Sequence, residues 1–268
     1  MSSDYTVTFA CLNQLDYTRQ FLESLVHSGV DPRRIIAVNN ASQDDTYQYL
    51  SSLGLGEVVN NKANLGCGTA WNQGVLALQS EWSVVMNNDV LVPPNFVENL
   101  IQGAKVKGLL VASPGMIEAP KLSYDLTSRS TLLAALFNGY FRPNFLHGVC
   151  MLVHQSVWHK VGYFRSKPRL LGYEDSLFFR DLQDYEIPRG TVSSTWIHHF
   201  GSVTQKGLKK ERRLPPAASL GDRTDYELHR DGWFGRKWRK FRSKQAEKSS
   251  VAEELRRFQE TIIQSGPD

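Results

Sequence analysis

A polar cluster directly after an apolar run is the feature of this sequence best suited to chemistry. Residues 82–86 are almost entirely apolar, and Asn87, Asn88 and Asp89 follow them. The run is typical of a buried strand, and open α/β sheets bind ligands beyond the carboxyl ends of their strands. Asp89 could therefore contact a ligand or a metal ion, although an asparagine-rich turn between two core strands explains the same residues.

Two further pairs carry side chains suited to acid–base or metal chemistry. Glu174 and Asp175 are adjacent carboxylates before a helical pattern. One of them could act as a general base, but acidic residues at a helix start also complement the helix dipole. His198 and His199 stand at a strand end, where one ring could bind a metal ion or simply pack inward. Each pair, taken alone, has a structural explanation at least as good as the functional one.

Strand and helix patterns alternate through the first third of the chain. Short polar loops join them, which predicts an α/β fold with a mixed, mainly parallel sheet and helices on both faces. Polar residues follow the successive strands, at Asn13, at Asn39 and Asn40, at Asn64, and at residues 87–89. Because the carboxyl ends of parallel strands share one edge, we expect these residues to line a ligand cleft.

Composition and charge limit the class of protein. The 268 residues, 41% of them hydrophobic, fit one large domain or a domain with an appendage. No run approaches the roughly 20 apolar residues of a membrane-spanning helix, and the first residues lack the pattern of a signal peptide. Three widely spaced cysteines predict buried thiols rather than disulfides. We therefore expect a cytoplasmic protein.

The motifs of the first half resemble inverting glycosyltransferase family 2, whose members have the nucleotide-sugar-binding GT-A fold. The segment from Val7 to Leu25 is similar to that family's first strand, asparagine turn and helix. Residues 36–42 resemble its VVDNxS segment, and residues 64–74 resemble its N-x-G…A-x-N-x-G donor loop. The cluster at residues 87–89 stands where the family carries its metal-binding DxD motif.

The second half continues the resemblance in the same order. Residues 147–164 are similar to the family's G-x-x-M-L-x-R…V-G-x-F pattern, and residues 171–175 resemble the x-x-E-D that opens the helix bearing its base. Residues 198–202 resemble its closing H-x-G-S. The resemblance covers about residues 5–205 and implies a GT-A domain with a nucleotide-sugar half at about 1–92 and an acceptor half at about 93–205.

The resemblance also implies roles for individual residues. Asp175 would be the catalytic base, with Glu174 beside it. Asp89 and His199, with His198 as the substitute, would hold a divalent metal ion, Mn²⁺ or Mg²⁺. The residues implied in donor binding are Ala10, Asn13, Asn39, Asn64, Gly66, Asn72, Asn87, Asn88 and, from a D-x-x-F-x-x-K-W element in the tail, Lys237.

Three departures from the family pattern affect the details. Asn39 replaces the acid that usually meets the nucleotide base, so any hydrogen bond to the base lacks charge assistance. Asn87 replaces the first aspartate of the metal motif. Ser176 and Leu177 follow Asp175 without the further acid often found there. These changes leave the nucleotide base and the metal affinity open.

The basic charge is concentrated in a C-terminal extension, residues 206–268. Between Lys206 and Lys244 there are 13 Lys and Arg residues against five Asp and Glu, whereas the whole chain has a net charge of +4. Aromatic residues alternate with the basic ones at 233–244, which suits an anionic membrane surface, nucleic-acid phosphate or a solvated helix. Residues 250–264 predict an amphipathic helix, which could pack on the domain or on a second copy in a homo-oligomer.

The sequence thus predicts a metal-dependent inverting glycosyltransferase that uses a nucleotide sugar, with a UDP-sugar as the first candidate. Its acceptor would be a cell-surface or lipid-linked glycan, approached by the poorly patterned residues 116–145, and the protein could lie on the inner face of the membrane. One alternative is a glycosyltransferase acting on nucleic-acid bases. Another is an inactive module that binds a sugar nucleotide or a glycan, since Asn87 has replaced an aspartate.

Overall fold

The computed structural model describes residues 3–165 and 173–211, together with Arg213, Pro215 and scattered residues between 234 and 256. The strands are β1 (Tyr5–Cys11), β2 (Ile35–Asn39), β3 (Glu57–Asn60), β4 (Trp82–Asn87), β5 (Val90–Leu91), β6 (Val111–Glu118), β7 (Phe141–Pro143), β8 (Cys150–His154) and β9 (Arg189–His199). The helices are α1 (Leu15–His27), α2 (Thr46–Ser51), α3 (Cys67–Ala77), α4 (Phe96–Val106), α5 (Leu126–Leu136), α6 (Gln155–Val161), α7 (Glu174–Asp184) and α8 (Val203–Glu211).

These strands form one mixed sheet in the order β3-β2-β1-β4-β8-β6-β9-β5, with β7 paired to β9. Strands β3, β2, β1 and β4 are parallel, and so is the long β6–β9 pairing. Strand β8 is antiparallel to both of its neighbours, and β5 and β7 are antiparallel to β9. The prediction of a mixed, mainly parallel α/β sheet is confirmed.

The sheet is buried on both faces, which explains the continuous apolar run of β4. Successive side chains of a strand point to opposite faces, and Val84 belongs to one core cluster whereas Val85 belongs to the other. Helices α1 and α4 supply Phe21 and Phe96 to the first cluster. Trp158 of α6 packs in the second. Strands covered on both faces lack an alternating polar pattern.

Residues 116–145 combine a few buried side chains with many exposed ones, and half of the range is exposed. Helix α5 lies against β9, and its Leu133 meets Phe137 and Trp196 in a third buried cluster. Met116, Glu118 and Phe145 are the residues of this range that line the main cavity. Contact of this range with an acceptor stays a prediction.

None of the described helices is both long and apolar enough to cross a bilayer. Most of the terminal helix predicted at 250–264 lies outside the described residues. The same holds for Gly172 and for much of the aromatic and basic stretch at 231–244. The predictions about the tail therefore stay predictions.

A tight contact between α3 and β1 gives a test of this architecture. A Cβ added at Gly74 would overlap the buried side chain of Thr8. Overpacking of a core typically costs about 1–3 kcal/mol, more than the roughly 1 kcal/mol that alanine gains over glycine in a helix. We expect Gly74→Ala to lower the free energy of unfolding in denaturant titration. Leu76→Ala, an exposed change in the same helix, should stay within about 0.5 kcal/mol of the parent.

The double variant Gly74→Ala/Thr8→Ser identifies the contact. Serine removes the Thr8 methyl group that the new Cβ would meet first, so the double variant should recover part of the lost stability relative to Thr8→Ser alone. Strictly additive losses would show that α3 does not approach β1 at Gly74.

Candidate active site

The polar strand ends meet at one edge of the sheet, as the sequence predicts. Strand register places Cys11 beside Asn39 and Ala10 beside Asn87. A cavity of about 540 Å³ opens at this edge. Its wall on the side of these parallel strands contains Ala10, Cys11, Leu12, Asn40, Asn64, Cys67, Trp71, Asn87, Asn88 and Asp89.

Asn40 fixes the loop that leads into α3. Its Nδ2 donates to Oδ1 of Asn64 at 2.9 Å and to the carbonyl of Gly66 at 3.3 Å. Its Oδ1 accepts from the backbone N–H of Leu65 at 3.0 Å. Gly66 has φ +84°, a conformation that favours glycine. Three backbone and side-chain groups of the loop are thus tied to the end of β2.

Asn13 and Asn39 lie at the same edge but are engaged in the loops themselves. Oδ1 of Asn13 accepts from the N–H of Gln43 at 2.7 Å. Nδ2 of Asn39 donates to Oδ1 of Asn60 at 2.7 Å, and its Oδ1 accepts from the N–H of Ser42 at 3.3 Å. Neither is among the residues that line the cavity. A contact of either with a donor stays a prediction.

Asn72 and Lys237, two further residues implied in donor binding, are not cavity residues either. Asn72 holds the backbone of Phe164 through two hydrogen bonds, donating to its carbonyl at 2.7 Å and accepting from its N–H at 3.0 Å. It thereby joins α3 to the segment before α7. Lys237 is exposed.

Asp89 and His199 form a buried pair on the cavity wall. Nε2 of His199 lies 3.5 Å from Oδ1 of Asp89, and both side chains are about 5% exposed or less. The other carboxylate oxygen of Asp89 accepts from the N–H of Val203 at 2.9 Å. Nδ1 of His199 lies 3.2 Å from Oε2 of Glu118. Because a carboxylate can only accept, Nδ1 carries the proton and donates it.

The electrostatics of the pair follow from burial and charge. Burial acts to lower the pKa of His199, but the carboxylates of Asp89 and Glu118 outweigh it and raise this pKa to about 9. Burial acts to raise the pKa of Asp89, and the hydrogen bond and charge of His199 outweigh it, so the pKa is lowered. Asp89 thus favours a protonated His199, and His199 in turn favours an ionised Asp89.

Sequence reasoning missed Glu118. It ends β6 as asparagines end β2, β3 and β4, and an acid at a strand end was the available signal. A carboxylate that holds Nδ1 of a histidine fixes the tautomer whose Nε2 can bind a metal ion. Glu118 thus acts on the pair through His199.

The neighbouring His198 faces away from this pair, because adjacent strand residues point to opposite sides of the sheet. It is fully buried. Its Nδ1 is hydrogen-bonded to the hydroxyl of Tyr124, and its ring packs against Phe200. Of the two histidines considered from the sequence, the structure brings only His199 to Asp89.

Asp175 lies in the first turn of α7 and lines the cavity. Its Oδ1 accepts from the N–H of Ser176 at 2.7 Å. Burial raises its pKa above the ordinary value, against the effect of this hydrogen bond. A Cβ added at Gly148 would overlap Oδ2 of Asp175. A glycine is thus needed opposite the carboxylate.

Glu174 is placed in a similar way. It is 3% exposed and lines the cavity. A Cβ added at Gly68 would come within 2.9 Å of its Cγ. Gly68 is in α3, so Glu174 and Asp175 pack closely against two glycines, Gly68 and Gly148, from different parts of the chain. The structure brings both to the same cavity as Asp89 and His199.

The side chains of Asp89 and His199 fit a divalent ion whose other coordination positions are filled by a bound ligand. Within the described part of the chain, no group of three or more His, Cys, Asp or Glu side chains could hold a metal ion. Asp89 and His199 would supply two protein atoms. Mg²⁺ is commonly held by one or two carboxylates together with substrate phosphates and water, so a two-residue site is consistent with binding alongside a diphosphate.

Comparisons with known proteins identify relatives of this chain. An uncharacterized glycosyltransferase of Rickettsia typhi is 25% identical over 198 residues, which cover 70% of this chain and 58% of the relative. Another, of Rickettsia bellii, is 24% identical over 162 residues, 57% of this chain and 24% of that protein. The chain therefore spans only part of the length of the relatives it matches.

Solved structures show the same fold. S. aureus TarS 1-349 in complex with UDP-GlcNAc superposes with a TM-score of 0.57 at 15% identity, covering 72% of this chain and 57% of that one. The complex of TarS 1-349 with UDP gives 0.56 at 14% identity, with coverages of 72% and 59%. The fold is thus that of GT-A glycosyltransferases.

The family is shown by a sequence profile. The profile described as "Glycosyl transferase family 2" matches residues 6–162, more than half of the chain. The matched range contains Asp89, the asparagine cluster and Gly148. We conclude that this chain belongs to glycosyltransferase family 2.

Proposed function

We propose that the protein is a metal-dependent inverting glycosyltransferase that moves a sugar from a UDP-sugar to a hydroxyl group. The observation that carries the proposal is that Asp89, His199 and Asp175 line one cavity. A carboxylate–imidazole pair that could hold a divalent cation suits the leaving diphosphate, and a separate, partly buried carboxylate suits the incoming hydroxyl. The UDP-GlcNAc complex of TarS supports a UDP-sugar as the donor class.

The chain's own residues would act as follows. Asp175 takes the proton of the acceptor hydroxyl as its oxygen bonds to the anomeric carbon. The bond from that carbon to the diphosphate oxygen breaks, and UDP leaves with the electron pair. Attack from the face opposite the leaving group inverts the anomeric centre. A divalent ion held by Asp89 and His199 would neutralise the charge that develops on the diphosphate.

The tail supports a proposal for the acceptor and for the location at which the protein acts. Phe234, Trp238 and Phe241 are exposed in the described part of the extension, and the last two rings stack at 6.2 Å. They alternate with Lys and Arg residues. Aromatic side chains among basic ones bind anionic lipid surfaces. We therefore propose a peripheral position on a membrane, where a lipid-linked glycan would be the acceptor. A homo-oligomer and a cytoplasmic location remain predictions from the sequence.

Calorimetric titration of UDP-sugars, with Mn²⁺ or with chelator, tests the function. We expect binding that requires the metal. His199→Gln should remove most of the metal dependence because it lacks the imidazole nitrogen, whereas His198→Gln should retain it because its ring lies outside the cavity. Equal metal dependence in both variants would reject the proposed ligand, and no binding of any UDP-sugar by the parent would reject the function.

Asp175→Asn tests the base. We expect transfer to fall by about 10²–10⁴-fold, with UDP-sugar binding retained. The melting temperature of the variant at pH 7 should not fall. Because the pKa of Asp175 is raised in the folded state, ionisation of this carboxyl destabilises the folded protein, and asparagine cannot ionise. Loss of donor affinity together with transfer would show that Asp175 binds the donor instead.

The pH profile gives an independent check on the same residue. The base must be ionised, so kcat/KM should fall as pH drops through its folded pKa. Burial raises this pKa, so the midpoint of the acidic limb should lie above the ordinary value of 3.8. A limb at or below 3.8 would contradict the buried position of the base.

Vesicle sedimentation tests the membrane surface. The protein should bind vesicles containing phosphatidylserine and not those of phosphatidylcholine alone, and added salt should weaken the binding. Trp238→Ala should weaken it further, whereas Leu132→Ala, at an exposed leucine of α5, should not. Equal binding to both vesicle types, or salt-sensitive binding to DNA in preference to vesicles, would overturn this assignment.

A further inference from the structure

Two buried polar atoms on residues that line the cavity have no hydrogen-bond partner within the described part of the chain. They are Nε1 of Trp71 and Nδ1 of His147. Leaving such an atom unpaired destabilises the folded protein, so nearly all buried polar atoms of native structures have a partner. Because both residues line the cavity, a ligand bound there can supply the two missing partners.

The other ring nitrogen of His147 determines which nitrogen carries the proton. Nε2 lies 2.9 Å from the carbonyl oxygen of Pro114, and because a carbonyl can only accept, Nε2 is the donor. Burial lowers the pKa of His147 to about 4, so the ring is neutral at pH 7 and Nδ1 has a lone pair. The backbone N–H of His147 donates to Oγ of Ser113 at 3.3 Å. Two contacts with β6 thus hold the residue, and Nδ1 is a fixed hydrogen-bond acceptor.

His147 lies close to both groups that act in the proposed reaction. The next residue, Gly148, is the one whose backbone abuts Asp175. The charge of His199 is among the causes that lower the pKa of His147, so the two rings are near each other. In the proposed reaction the diphosphate lies at Asp89 and His199, and the acceptor hydroxyl lies at Asp175. The transferred sugar joins these two places, and a residue close to both is beside the sugar.

Trp71 approaches the cavity from α3. Its side chain is 4% exposed, and its ring centroid lies 5.1 Å from that of Phe164. Gly68, about one helical turn earlier, is close to Phe164 and Glu174, because a Cβ added there would lie 3.4 Å from Cβ of the first and 2.9 Å from Cγ of the second. Helices α3 and α7 are in contact. The indole N–H, which can only donate, is therefore near the helix that carries the two carboxylates.

On the basis of the proposed function, we propose that Trp71 and His147 recognise the sugar of the nucleotide donor. The indole N–H donates to an oxygen of the sugar, and Nδ1 accepts from one of its hydroxyl or amide N–H groups. A few fixed polar groups of this kind set the orientation of a ligand in its pocket. The two residues select the sugar and not the nucleotide, so they contribute little to the binding of UDP alone.

A pair of tryptophan variants tests the donor. Dissociation constants of UDP and of a UDP-sugar are measured by calorimetry with Mn²⁺ on the full-length protein. The UDP-sugar is the tightest-binding of UDP-glucose, UDP-galactose and their N-acetylamino counterparts. Trp71→Phe keeps an aromatic ring but removes the N–H, and it should weaken the binding of the UDP-sugar relative to UDP by about 3–10-fold.

Trp158→Phe is the matched control. Trp158 belongs to the same core cluster as Trp71, but it is not a cavity residue, and its Nε1 donates to Oγ of Ser83 at 3.4 Å. The control variant therefore loses a hydrogen bond within the protein, whereas Trp71→Phe loses none there. We expect Trp158→Phe to keep the parent's ratio of the two dissociation constants.

Two variants of His147 separate sugar recognition from a structural role. His147→Gln keeps an N–H donor near the position of Nε2, where it can meet Pro114, but it lacks Nδ1. His147→Asn keeps an acceptor near the position of Nδ1 and is too short to reach Pro114. We expect His147→Gln to weaken UDP-sugar binding relative to UDP by about 3–10-fold, and His147→Asn to weaken it less but to melt at a lower temperature. A purely structural histidine would give the parent's ratio in His147→Gln.

The outcomes separate this inference from the function on which it rests. Metal-dependent binding with the parent's ratio in both Trp71→Phe and His147→Gln overturns the recognition of the sugar and leaves the transferase standing. Equal losses for UDP and the UDP-sugar overturn it too, because they would show a contact with the nucleotide or a change in the fold. Absence of binding of UDP and of every UDP-sugar by the parent overturns the function itself.

Discussion

The contact between Asp89 and His199 joins parts of the chain that are more than 100 residues apart, and the site depends on it. Strand β5 pairs with the end of β9, so Val90 lies opposite His199. The N–H of Phe200 donates to the carbonyl of Asp89, and that of Val203 donates to its carboxylate. A buried carboxylate or imidazolium alone would be costly, whereas together they compensate each other. Because Nδ1 donates to Glu118, removing one proton leaves the Nε2 lone pair facing Asp89, and a metal ion can take the place of that proton.

The polar residues at the ends of the parallel strands could be predicted, because their positions depend on local sequence. Parallel strands end at a common edge, and the polar residues after β2, β3 and β4 do meet there. What could not be predicted is which of them reach the cavity. Asn40 does, whereas Asn39 is turned to Asn60 and Ser42. The positions of the polar residues after the strands predict the edge of the sheet at which they lie. The direction of each amide depends on the alternation of side chains along the strand and on the course of the following loop.

The roles of Glu118, Gly148 and Gly68 depend on long-range packing that no local sequence pattern contains. Glu118 matters because β6 pairs with β9 in parallel, which brings it beside His199. Gly148 matters because Asp175 needs the space that a side chain would fill, and Gly68 has the same relation to Glu174. Neither glycine has a positive φ, so backbone conformation does not explain them. The reason for both glycines is the close approach of α7.

The burial of Asp175 connects its place in the fold with its chemistry. Burial is the main cause that raises the pKa of its carboxyl, and a base is more effective as its pKa approaches the working pH. Gly148 allows this burial, because a side chain at that position would overlap the carboxylate. The close approach of α7 to Gly148 therefore sets the basicity of the residue that we propose as the base.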